Sequence, residues 1–208
     1  MDDYKIIKEL GSGSFGRVYH AQKNGKNYAI KKVENTCPTA RQEIEILKQV
    51  NHRNIIEYFE NFWEEGKICI VLEYADKGTL DKNIERSARS SEANVWRLMN
   101  HISSALEYLH AFRPRQILHR DLKPDNVLGV NEYSKKVGRH LINWKIADFG
   151  VPKLLKKDAQ EAYYGAEDQD VATYMAPEVW QDYEQYTEKS DIWYAILILH
   201  CNFFFLDS

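Results

Sequence analysis

Cysteine is scarce in this chain of 208 residues: three, at positions 37, 69 and 201, with no CxxC pair and no histidine at metal-ligand spacing. That excludes a disulfide-stapled scaffold and a zinc module, and leaves reduced, packed thiols as in an intracellular protein. An excess of one charge is missing too. A net charge of −3 gives no electrostatic reason to expect nucleic acid or a membrane surface as the main partner. The apolar stretch from Ile196 to Leu206 is too short to span a bilayer. The opening Met1-Asp2-Asp3-Tyr4-Lys5 is acidic and has no apolar segment behind it, which predicts no secretory signal and a place in the cytoplasm or nucleus. No GxxxxGK[ST] loop occurs, which counts against a P-loop hydrolase. What remains, 44% hydrophobic and 28% charged residues, suits a soluble globular chain with length for one large domain or two small lobes.

The most informative stretch is Leu118-His119-Arg120-Asp121-Leu122-Lys123-Pro124-Asp125-Asn126-Val127-Leu128. It places three chemistries in one loop. Asp121 can accept the proton of an attacking hydroxyl. Lys123 can set a positive charge beside a phosphate. Asn126 can offer an amide oxygen to a hard cation, which prefers oxygen ligands. A charged surface loop after a helix is the plainer reading of such a string.

Upstream, an alternating run from Tyr4 to Leu10 leads into Gly11-Ser12-Gly13-Ser14-Phe15-Gly16-Arg17-Val18, and Val18 to Gln22 and Asn27 to Val33 alternate again. Strand, glycine turn, strand is the predicted order. Glycines let backbone N–H groups approach phosphate oxygens without a Cβ in the way. A GxGxxG alone would fit a dinucleotide fold equally well. Here a strand rather than a helix follows it, and Tyr28-Ala29-Ile30-Lys31 supplies a lysine. Thr36 to Val50 reads as a helix with Thr39 and Gln42 as a capping box and Ile44, Leu47 and Val50 as its apolar face. Glu43, four residues before Leu47, projects to that same side, whereas Glu45 reads as a solvated charge. Glu57 to Phe62 and Lys67 to Glu73 are further strands about a hairpin turn at Trp63-Glu64-Glu65-Gly66. Leu72 to Gly78 then changes to turn formers.

Glu92 to His110 carries Val95, Leu98, Met99, Ile102, Ala105, Leu106 and Leu109 on one helical face, which reads as core. Gly129 to Asn143 is polar and mostly basic (Lys135, Lys136, Arg139, His140) and reads as a solvated hairpin loop. It has no aromatic ladder for nucleic acid. Asp148-Phe149-Gly150, Ala176-Pro177-Glu178 and Ser190-Asp191-Ile192-Trp193 follow.

Taken in order, these motifs resemble the eukaryotic protein kinases, from Tyr4 to about Trp193. The stretch Cys69 to Asp76 is similar to the NIMA-related branch, and Lys123 matches the serine/threonine class. The resemblance implies an α+β, bilobal fold: a small antiparallel-sheet N-lobe with one helix (residues 1–74) and an incomplete, mainly helical C-lobe (residues 75–208). It implies ATP and Mg²⁺ as cofactors and a protein Ser or Thr hydroxyl as acceptor, with Asp121 as base and Lys123 beside the transferred phosphate. Lys31, paired with Glu43, would hold the nucleotide phosphates, and Asn126 and Asp148 would take the metal. Leu10, Gly11, Gly13 and Gly16 would cover the nucleotide. Val18, Ala29 and Leu128 would enclose the adenine, whose edge would meet the Glu73 carbonyl and the Ala75 backbone, with Leu72 behind it. Phe149 would pack beneath the Glu43 helix.

The pattern also breaks. Where the family has Gly-Thr before Ala176, this chain has Asp170 and Val171, so the hydroxyl brace is lost unless Thr173 supplies it. Residues 151–172 contain no Ser or Thr, leaving Tyr163 and Tyr164 as hydroxyls. Glu167, Asp168 or Asp170 is expected to pair with Arg120 in place of a phosphate. Tyr194 and Ile196 replace the expected Ser and Gly. The chain stops at Ser208, before further C-lobe helices and the arginine that pairs with Glu178. That predicts a truncated domain whose exposed apolar surface a partner protein covers. Two readings follow: an ATP-dependent serine/threonine protein kinase, or a catalytically silent kinase-like module acting by nucleotide or partner binding.

Overall fold

Period-2 alternation and glycine turns build the first half. The computed structural model describes residues 4–13, 16–35, 38–86, 91–149, 175–182 and 185–204. Five antiparallel strands, β1 (Lys5–Gly13), β2 (Gly16–Lys23), β3 (Lys26–Glu34), β4 (Tyr58–Glu64) and β5 (Lys67–Glu73), form one sheet in the order β1-β2-β3-β5-β4. Two of its hairpins close on two-residue turns, Asn24-Gly25 and Glu65-Gly66, with positive φ at both residues of each. That geometry matches the right-handed twist of the strands. The turn predicted at Trp63-Glu64-Glu65-Gly66 is therefore shorter than expected, because β4 keeps its pairing through Glu64.

The two faces of this sheet have different uses. Ala21, Ile30, Cys69 and Val71 form a small cluster on the outer face, with Tyr4, Tyr28 and Phe62 packed on it. The residues between them point inward. Lys31 lies opposite Val18 and Ile70, and Ala29 lies opposite Leu72.

α1 runs Pro38–Leu47. Proline suits the first helical position, where its missing N–H has no intrahelical partner to lose. Thr39 therefore stands inside the helix and cannot be the N-cap of the expected capping box. Residues 48–50 do not continue the helix. Ala40, Ile44 and Leu47 are buried and Glu45 is exposed beside Lys48, as the pattern predicts.

β6 (Gly78–Thr79), β7 (Val127–Ser134) and β8 (Arg139–Ile146) form a second antiparallel sheet. The segment expected to be a solvated loop is thus largely two paired strands. Their sequence hides this because residues on both faces of the distal half of β8 are buried: Asn143 and Lys145 as well as Trp144 and Ile146. Asn54 explains the burial of Asn143. Its amide donates to Asn143 Oδ1 at 2.8 Å and to the Trp144 carbonyl at 3.0 Å.

α2 (Leu80–Arg86) leads toward α3 (Glu92–His110), whose N-cap Ser91 accepts from the Asn94 N–H. Val95, Leu98, Ile102, Ala105, Leu106 and Leu109 are buried, but Met99 is 39% exposed and stands outside the predicted face. A one-turn 3₁₀ helix, Pro124–Asn126, precedes β7, and α4 (Pro177–Gln181) and α5 (Glu188–Phe204) complete the described elements. α5 packs on α3 and buries Tyr194, Ala195 and Ile198, while Ile192, Trp193 and Ile196 are exposed. No helix among the described residues is long and apolar enough to cross a membrane.

Candidate active site

Two small constellations meet where the sheets approach each other. In the first, Lys31 on β3 reaches across to α1. Its Nζ donates to both Glu43 oxygens at 3.0 Å and to Asp148 Oδ1 at 2.6 Å. Lys31 and Glu43 are 6% and 5% exposed, so one buried ammonium is shared by a buried carboxylate and by Asp148, whose side chain is 32% exposed. Burial alone would lower the Lys31 pKa, but Asp148 and Glu43 outweigh it and hold the ammonium above its ordinary value. Glu43 has the weaker claim on that charge. Burial, with Asp148 adding to it against Lys31, pushes its carboxyl up to about 7. Next door, Lys32 faces the other side of the sheet and pairs with Glu64 at 2.6 Å.

In the second constellation, the Asn126 amide nitrogen donates to the Asp121 carbonyl at 2.7 Å and to its Oδ2 at 3.0 Å. Lys123 Nζ lies 3.8 Å from the same oxygen. Burial raises the Asp121 pKa, opposed by Lys123 and His119 and assisted by Asp148, and the net direction is up. Both aspartates border strained backbone: Arg120 has φ 66° and Asp148 has φ 58°. A non-glycine residue in this region costs about 1–3 kcal/mol and needs its surroundings to hold it.

The holding groups are visible. Asp191, at the start of α5, is fully buried and accepts from the His119 and Arg120 backbone N–H groups at 3.0 and 3.1 Å. It also takes the Tyr186 hydroxyl and lies 2.8 Å from His110 Nε2. His119 Nε2 lies 3.1 Å from the Ala147 carbonyl, and its ring packs against buried Phe149. Phe149 joins the core cluster that includes Ile44 and Leu47 of α1. The serine-aspartate pair opening an apolar helix signalled Asp191, but nothing local in the sequence marks His110 and Tyr186 as its partners. Lys145 was missed as well. It reads as one polar residue in an apolar run, yet it pairs with Glu73 at 2.8 Å and ties the end of β5 to β8.

The remaining predicted residues fall on the walls. Val18, Ala29 and Leu72 share the inner face of the first sheet with Lys31. Leu128 stands on the second sheet, partly buried against the core. Glu73 ends β5, and the Ala75 carbonyl accepts from Gly78 N at 3.1 Å. Leu10, Gly11 and Gly13 lie on β1 and Gly16 opens β2. The glycines differ in kind. A Cβ on Gly16, at φ +123°, would run into the Lys32 carbonyl oxygen, whereas one on Gly11 would meet nothing within 4 Å. Gly16→Ala is therefore expected to lower the unfolding temperature by several degrees, following a strain of about 1–3 kcal/mol. Gly11→Ala should leave it unchanged, and differential scanning fluorimetry on both variants checks this. Gly150, Tyr163, Tyr164, Glu167, Asp168, Asp170, Val171 and Thr173 lie outside the described residues, as does the expected Arg120 pairing. Glu178, expected to want an arginine, accepts from the Ser190 hydroxyl at 2.7 Å.

The protein kinase domain model matches residues 4–204. The chain belongs to the protein kinase family. Among curated kinases it is 32% identical to the interferon-induced, double-stranded RNA-activated protein kinase of Rattus norvegicus, over 95% of this chain and 40% of that protein. It is 31% identical to serine/threonine-protein kinase Nek5 of Homo sapiens, over 96% of this chain and 28% of that protein. For serine/threonine-protein kinase Nek6 of Oryza sativa subsp. japonica the figures are 32%, 93% and 35%. The two Nek kinases bear out the similarity to the NIMA-related branch. This kinase domain spans at most two fifths of the length of these relatives.

Proposed function

We propose that this kinase domain transfers the γ-phosphoryl group of ATP to serine or threonine hydroxyls of proteins, with residues 1–74 and 75–208 as its two lobes. The observation that carries this reading is the three-way contact of Lys31, Glu43 and Asp148, close to the base candidate Asp121. Lys31, fixed in place by Glu43, would hold the nucleotide phosphates. Val18, Ala29, Leu72 and Leu128 would enclose the base. Asp121, oriented by Asn126, would accept the proton of the incoming hydroxyl, and Lys123 would offset charge on the transferred phosphoryl group. Phosphoryl transfer asks for this kind of positioning and charge stabilisation rather than covalent help from the protein.

The donor set suits magnesium. Asp148 and the Asn126 amide oxygen are hard oxygen ligands, and among the described residues no group of three or more carboxylates, imidazoles or thiols could form a protein-only cage. Magnesium typically takes one or two protein oxygens and completes its shell with phosphate and water. Bound there, it would neutralise the phosphate oxygens.

A saturating ATP–magnesium mixture is expected to raise the unfolding temperature by roughly 5–10 °C, from about 2.7 kcal/mol at a hundredfold excess over Kd. Lys31→Met and Asp148→Asn should each remove most of that shift. Transfer of labelled γ-phosphate to serine and threonine peptides, but not to tyrosine peptides, then tests the reaction. Nucleotide stabilisation without transfer to any peptide would favour a silent module, the reading that Val171 supports.

A further inference from the structure

Away from the Lys31–Asp121 region, α2, the first turns of α3 and the strand β8 enclose a second concavity of about 370 Å³. That size lies within the roughly 300–1,000 Å³ typical of ligand sites. Its floor is apolar: Leu80, Val95, Leu98 and Trp144 are all buried. Its rim is polar: half-buried Arg97 and exposed Arg139 line it together with His140, and among the described residues no carboxylate does. In a chain with net charge −3 this is a local reversal. Of the acids described around it, Glu92 accepts from Trp96 Nε1 at 3.2 Å and Asp81 does not line the concavity. Arg97 donates to Asn94 Oδ1 at 3.4 Å, and among the described residues neither Arg97 nor Arg139 pairs with a carboxylate.

We propose that this groove docks a short acidic segment of a partner protein, with an apolar side chain on the floor and carboxylates at Arg97 and Arg139. Charge complementarity selects the acidic flank, and the buried floor selects the apolar anchor. Ser91, Asn94, Arg139 and His140 at the rim are exposed, so the concavity opens to solvent on the side where Arg139 stands. The groove needs nothing from the nucleotide site, so its occupancy does not depend on the kinase reading.

The test is fluorescence anisotropy of the full chain with a dye-labelled peptide of alternating glutamate and leucine. Saturable binding is expected, weakened by added salt and about tenfold by the combined charge reversals Arg97→Glu and Arg139→Glu. The neutral pair Arg97→Gln and Arg139→Gln should give a smaller loss, with unfolding temperatures of all variants checked. A glutamate–serine peptide should bind more weakly, through loss of the anchor. Absence of binding overturns the proposal, as does binding that the reversals leave unchanged. Equal binding of the glutamate–serine peptide, or displacement by a single-stranded oligonucleotide as effective as by the peptide itself, would make the rim a general polyanion patch and overturn it too.

Discussion

Asp121→Asn is expected to lower the rate of phosphoryl transfer about 10²–10⁴-fold, the range that a positioned general base contributes, with ATP affinity unchanged. The amide is isosteric and can still accept from Asn126, whose nitrogen lies 3.0 Å from Asp121 Oδ2. The capacity to take a proton is lost, together with the negative charge that faces Lys123. The pH profile gives a second reading of the same group. Burial, resisted by Lys123 and His119, leaves the Asp121 carboxyl above its ordinary value. The acid limb of kcat/KM should therefore lie above the usual aspartate range near 3.9, and the residual rate of the variant should lack that limb. Stability moves the opposite way. Between the unfolded pKa and the raised folded one, the folded state keeps a proton that the unfolded chain has released. Above that window the ionised carboxylate costs stability. Asp121→Asn should thus unfold at the same temperature or higher near neutral pH. A variant with wild-type turnover, or one that keeps the acid limb, would remove Asp121 from the reaction.

Such a prediction could be framed from the sequence because the chemistry of this site is concentrated in short strings. Lys31, Asp121, Asn126 and Asp148 each sit at a fixed offset in a motif, and the structure brings Lys31 to Asp148 and Asn126 to Asp121. The strands around β1 to β5 were legible for a different reason. Most of them alternate, and glycine marks their turns. What stayed hidden depends on partners distant in the chain. Asn143 and Lys145 look like solvent-facing residues until Asn54 and Glu73 are placed against them. With both faces buried, the distal half of β8 loses the period-2 signal that would have announced a strand. Thr39 resembles a cap because capping chemistry competes locally with Pro38, and the proline opens the helix at 38, two residues before a cap at Thr39 would. Met99 fell on the helical stripe, yet it lies at the edge of the contact that α3 makes and is left exposed.

The same dependence on distant partners makes Asp191 the residue whose loss should cost the fold most. Its carboxylate takes the His119 and Arg120 N–H groups and the Tyr186 hydroxyl and touches His110 Nε2, all at a fully buried position. Asp191→Ala leaves these donors without an acceptor, at about 1–3 kcal/mol for each group that stays buried. Removing one partner from a buried charged network typically costs 3–5 kcal/mol. For a domain of this size that corresponds to a fall of roughly 10 °C in Tm. Asp191→Asn should fall between, since the amide retains one acceptor oxygen. Tyr186→Phe should cost only about 1 kcal/mol, the worth of one hydrogen bond. The pH dependence has a definite sign. Burial raises the Asp191 pKa, but the His110 contact, the nearby His119 and the Tyr186 hydroxyl outweigh it and the net direction is down. Its stabilisation is then complete above the unfolded aspartate value and is lost as pH falls through the lower folded one, so Asp191→Ala should flatten the acid limb of the stability curve. Catalysis should fail further than stability. Arg120 holds φ 66° against its own preference, and without the Asp191 tether the backbone between His119 and Asp121 can relax, moving the base away from Asn126. Urea unfolding and phosphotransfer measured on the folded fraction separate the two effects. Turnover that survives in folded Asp191→Ala would show that the left-handed Arg120 is held by the rest of the core, and not by this carboxylate.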